Sequence, residues 1–68
     1  MTDVTVVPVG PGIVHLRTGF GRPSIYVDLS QPRAAVRAAV RDLLPDDYVR
    51  ALTLVYGAGD SYPDYHGD

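Results

Sequence analysis

Two glycine-bracketed turns constrain this chain more than any other feature. Gly10-Pro11-Gly12 and Gly19-Phe20-Gly21-Arg22 cut the first thirty residues into three runs of about six. Pieces that short are poor helices, and their β-branched content suits strands. The expected strands are Val4–Val9, Ile13–Thr18 and Ser24–Leu29, with Pro23 opening the third. Three short strands joined by two short loops make an antiparallel meander.

Side-chain alternation tests the registers. Centring the first turn on Pro11 sets Val9 opposite Ile13, Val7 opposite His15, Val6 opposite Leu16 and Thr5 opposite Arg17. A loop over Gly19–Arg22 sets Leu16 opposite Ile25, His15 opposite Tyr26 and Val14 opposite Val27. Both hairpins then agree on one apolar face: Val4, Val6, Val14, Leu16, Ile25 and Val27. The other face carries Thr5, Val7, Val9, Ile13, His15, Arg17, Ser24, Tyr26 and Asp28.

A helix follows. Ser30 is a favourable N-cap and Pro32 suits a first turn, so the helix is predicted from Gln31 to Leu44, stopping before Pro45. Val36, Val40, Leu43 and Leu44 form its core stripe, and Ala39 continues that face. Tyr48–Tyr56 fits both periods, with Tyr48, Leu52 and Val55 at helical spacing and Leu52, Leu54 and Tyr56 at strand spacing. Thr53, Val55 and Tyr56 tip the expectation to a fourth strand, Ala51–Tyr56, lying parallel beside the first after a helical crossover. The fold class is thus α+β: a three-stranded meander packed by one helix (βββα), extended to βββαβ. One domain is expected over residues 1–56, and a disordered, flexible acidic tail over 57–68.

With 68 residues there is room for one domain of marginal stability. The chain has no cysteine, which removes disulfides and thiolate metal sites and leaves self-association as the usual support for a small fold. No apolar run is long enough to span a membrane, and no basic start with an apolar core suggests a signal peptide. A cytoplasmic protein is expected, and a composition of Arg over Lys with much Ala, Gly, Pro and Val suggests a bacterial source. Net charge is -2 and uneven. Residues 1–56 hold six Arg against five Asp, giving +1, and residues 57–68 hold three Asp and no Arg, giving -3. A near-neutral body attracts nucleic acid or anionic lipid weakly.

Four groups of residues could carry chemistry. His15 with Tyr26, near Arg17, Ser24 and Asp28, could form a small enzyme or ligand site with His as base and Asp as its partner. A half-exposed histidine packed on Tyr26 is the plainer reading and is preferred. Asp60, Asp64, His66 and Asp68 offer oxygen and imidazole donors, but not at the spacing of a calcium loop. No metal or cofactor is therefore expected. Tyr62 and Tyr65 in that acidic tail also suit a recognition segment. Arg33, Arg37 and Arg41 form a helical stripe that could meet phosphates, or could simply cover the core edge with their stems. Gly10-Pro11-Gly12 and Gly19-Phe20-Gly21 lack the phosphate-loop pattern, and Phe20 is either folded inward or an exposed anchor.

The expected function is a non-enzymatic protein–protein interaction or accessory module. Its contact surface is the second sheet face, with Val7, Val9, Ile13, His15, Phe20 and Tyr26 as partner-binding residues. The expected partner is a second copy of the chain, forming a homo-oligomer, or another protein; nucleic acid and membrane are disfavoured. A nucleic-acid-binding regulator using Arg33, Arg37 and Arg41 is the first alternative. A site near His15 and Tyr26 is the second.

Overall fold

The computed structural model describes residues 3–19 and 21–60. Three strands, β1 (Thr5–Gly10), β2 (Ile13–Arg17) and β3 (Ser24–Asp28), precede two helices, α1 (Arg33–Leu43) and α2 (Tyr48–Asp60). The sheet is an antiparallel meander in the order β1-β2-β3. Both helices pack on one side of it, α1 against β3 and α2 against β1 and β2. The fold is α+β in two layers.

The expected registers hold from Thr5↔Arg17 to Pro8↔Val14 and from Ile13↔Asp28 to Arg17↔Ser24. One pair differs. Gly10, and not Val9, stands opposite Ile13, with an irregularity between Pro8 and Gly10. The turn explains it. Pro11 followed by Gly12 at φ 72° is the residue pairing of a type II turn. Such turns twist against the strands they join, and one extra residue absorbs the mismatch. Gly12 is buried, and its carbonyl accepts a hydrogen bond from the Leu29 amide at 2.6 Å, which ties the turn to the end of β3. Gly12→Ala should cost about 1–2 kcal/mol, because a Cβ is strained at that backbone angle. Thermal denaturation should show this as a melting point lower by roughly 5–10 °C. An unchanged melting point would mean the turn tolerates a different shape.

The inner sheet face is the predicted one. Val14, Leu16 and Val27 are buried, and Val4, Val6 and Ile25 pack partly buried beside them. Leu29, Val36, Val40, Leu44, Ala51 and Val55 complete the core. Val36 and Val40 confirm the phase of the first helix, but Ala39 lies exposed, off the core stripe. The helix also starts later than predicted. Ser30 is not its cap, because the Ser30 amide and hydroxyl both donate to Asp28 Oδ1, at 2.9 and 2.6 Å. Pro32 takes the cap position, with its carbonyl accepting from the Ala35 and Val36 amides. A local Asp–Ser turn thus outcompetes the cap.

The fourth strand expected over Ala51–Tyr56 is instead part of α2. Ala51, Val55 and Gly59 are buried at steps of four, and Tyr48, Leu52 and Tyr56 form a half-buried row beside them. Leu54, which a strand would have placed with Leu52 and Tyr56, is exposed. The reason is coverage. A single helix over β3 leaves the inner faces of β1 and β2 in water, and a strand added beside β1 would not cover them. A helix laid across β1 and β2 does, so packing overrides β propensity. Thr53 adapts by donating its hydroxyl to the Val49 carbonyl at 3.2 Å. Gly57, expected to end the last element and begin the tail, sits inside α2, and Ala58 packs against the core. The folded unit therefore extends past residue 56 to Asp60, and residues 61–68 of the expected tail lie outside the described residues.

Candidate functional site

With both helices on the inner side, the outer sheet face is left open. Val7 is 44%, Val9 50%, Ile13 39% and Tyr26 70% exposed, against 0–3% for Val14, Leu16 and Val27 at the centre of the opposite face. Pairing arranges this surface in three rows across the strands. The middle row is Val7, His15 and Tyr26; Ile13 and Asp28 stand on one side, and Thr5, Arg17 and Ser24 on the other. Five of the six predicted partner-binding residues thus share one surface: Val7, Val9, Ile13, His15 and Tyr26. Phe20 lies outside the described residues.

His15 is the polar centre of this surface. Its ring stacks on Tyr26 with centroids 4.5 Å apart and planes 21° apart. Its Nε2 is hydrogen-bonded to Ser24 Oγ at 3.0 Å, along the diagonal between adjacent rows. Asp28, the candidate partner for a catalytic base, turns to Ser30 instead. Among the described residues Asp28 and His15 therefore form no Asp–His relay. What the arrangement does provide is a rigid aromatic platform. Two rings held by stacking, with one hydrogen bond fixing the imidazole, lose little freedom when another surface covers them.

Asp28 is held below its ordinary carboxylate value of 3.8, first by the Ser30 hydroxyl and then by the Ser30 amide. Asp47 is held low by its hydrogen bond from Arg50. A depressed folded value contributes stability that is present above the ordinary carboxylate range and is lost as pH falls through the folded value. The melting point should therefore fall as pH drops below about 4, and Asp28→Asn should flatten part of that fall. A wild-type melting point that does not change between pH 5 and pH 2 would contradict both assignments.

The arginine stripe looks different from its sequence reading. Arg33 lies over the Tyr56 ring, 4.4 Å from its centroid, and Arg41 lies 5.7 Å from the Tyr48 centroid. Two of the three guanidinium groups thus engage tyrosines of α2, a pairing visible only once that segment is a helix. Among the described residues no group of three or more His, Cys, Asp or Glu is placed to hold a metal. Asp64, His66 and Asp68, the remaining members of the metal candidate, lie outside the described residues. No described helix is long and apolar enough to cross a membrane. No family model, curated protein or solved structure matches this chain.

Proposed function

We propose that this chain is a non-enzymatic interaction module that pairs with a second copy of itself through the outer sheet face. The observation that carries it is the open row of Val7, His15 and Tyr26, flanked by exposed Val9 and Ile13, on the side that neither helix covers. Exposed apolar area grouped this way on a small domain marks a contact surface.

Charge placement supports a second copy as the occupant. Among the paired strand residues, Arg17 and Asp28 are the charged groups on this face, and they stand on opposite sides of the middle row. A two-fold axis lying across the strands through that row sets the middle rows against each other. It also brings each Arg17 to the end of the partner that bears Asp28. An isologous sheet-on-sheet contact is then apolar at its centre and charge-matched at both ends. The Ser30 hydrogen bonds keep Asp28 ionised for that role.

The test is native mass by light scattering across a concentration series. A mass of two chains at high concentration, falling toward one on dilution, is expected. One chain at every concentration would sink the reading.

A further inference from the structure

A second open surface lies in the helix layer. Arg33, Ala34 and Arg37 of α1 and Tyr48, Leu52 and Tyr56 of α2 wall a groove of about 640 Å³, a size that holds a small organic molecule. Beside it a hollow of about 310 Å³ opens between residues 29–32 and the start of α1. Arg33 and Tyr56 line both, and among the described residues no acid lines either.

The start of α1 is built against its own dipole. A helix N-terminus is partly positive and favours acids in its first turn. This first turn holds no acid, and it holds Arg33. Pro32 at the cap position makes no side-chain hydrogen bond. Its carbonyl takes the Ala35 and Val36 amides, which leaves the Arg33 and Ala34 amides without a hydrogen bond among the described residues. Arg37 follows one turn later, and neither arginine has an ion pair among the described residues. The Tyr56 hydroxyl is buried and also lacks a partner there. Arg33 is already held over the Tyr56 ring at 4.4 Å, so it loses little freedom on meeting an anion.

We infer that the α1–α2 groove binds a small aromatic carboxylate, its charged end at Arg33, Arg37 and the start of α1 and its rings along Leu52 and Ala34, between Tyr48 and Tyr56. Guanidinium groups and unmet amides supply charge-assisted donors for the carboxylate. Tyr48 and Tyr56 stand about 12 Å apart along α2, which gives the rings an apolar bed with an aromatic wall at each end. An inorganic anion would leave that bed unfilled, and a neutral aromatic would leave the arginines unpaired. Nucleic acid is a poorer fit, because the chain as a whole is negative and the bed between the arginines and tyrosines is Ala34 and Leu52.

The inference goes beyond self-association and uses the opposite layer of the fold, so the two are tested apart. The probe is 2-naphthoate, titrated into the ¹⁵N-labelled full chain. Amides of residues 33–37 and 48–56 should shift along saturable curves, while those of Val7, His15 and Tyr26 stay in place. 2-Naphthalenemethanol keeps the rings without the charge, and acetate keeps the charge without the rings. Each should bind roughly tenfold or more weakly than 2-naphthoate. Arg33→Gln and Arg37→Gln, both at exposed positions, should each weaken 2-naphthoate about tenfold while the rest of the spectrum stays folded. Arg22→Gln removes the same charge from another exposed position and should bind as the wild type does. Equal binding of the alcohol overturns the inference in favour of a plain apolar cleft. Equal binding of acetate overturns it in favour of an anion site alone. A loss in Arg22→Gln as large as in Arg33→Gln overturns it in favour of a net-charge effect. Groove amides that respond only to added poly-glutamate overturn it in favour of an acidic protein segment.

Discussion

Val40→Asp is expected to leave this chain unfolded at 25 °C. Val40 is fully buried on α1, one turn from Val36 and one turn from Leu44, facing the sheet. A carboxylate placed there loses its water and finds no cation among the apolar core residues. The cost is several kcal/mol whether the group stays charged or takes up a proton. A domain of this length has roughly 3–10 kcal/mol in total. Ala39→Asp is the matched control. Ala39 is the preceding residue on the same helix and is exposed, so the change should cost only the few tenths of a kcal/mol of helix propensity. Far-ultraviolet circular dichroism with urea titration reads both. A native midpoint in Val40→Asp, or an unfolded Ala39→Asp, would mean that α1 presents a different face to the sheet.

The contrast between those two alanine- and valine-bearing positions shows where the sequence is readable and where it is not. The strands are legible because alternation is local. Val4, Val6, Val14, Leu16, Ile25 and Val27 agree across two hairpins, and only one face can be the core. The Val36–Val40 spacing is legible for the same reason. Ala39 is not, because alanine is neutral between core and surface. Tyr48–Tyr56 is apolar at both periods, so no local rule separates helix from strand. The deciding fact is that the inner faces of β1 and β2 need a cover, and that is a property of the assembled sheet. Gly57 reads as a terminator and Ser30 as a cap, yet each is settled by a neighbour: α2 packing carries the helix through Gly57, and Asp28 captures Ser30. The functional surfaces divide the same way. The row of Val7, His15 and Tyr26 follows from strand registers alone. The groove between the helices, with Arg33 over Tyr56, depends on α2 being a helix and is invisible without it.

Tyr26→Asp and Val7→Asp are each expected to convert the self-associated form to single chains while the fold persists. Both residues lie in the middle row of the outer face, away from the core, so neither change buries charge within one molecule. In a two-fold contact each substitution enters twice, and the two new carboxylates face each other across the axis. Like charges closely opposed in a desolvated contact cost several kcal/mol, which is a hundredfold or more in the dissociation constant. The contact has little to spare. Strands of five or six residues, about 17–20 Å long and about 4.8 Å apart, give an interface near the small end of the specific range. Tyr26→Asp also removes the ring on which His15 stacks, whereas Val7→Asp leaves that stack in place. Their agreement would assign the effect to the face as a whole and not to the aromatic pair. Arg17 of the same chain stands one row from both positions and could neutralise a new carboxylate, so Arg17→Gln added to either variant should weaken association further. Sedimentation velocity beside circular dichroism separates loss of association from loss of fold. Variants that retain the wild-type sedimentation coefficient at every concentration would place the contact elsewhere on the molecule.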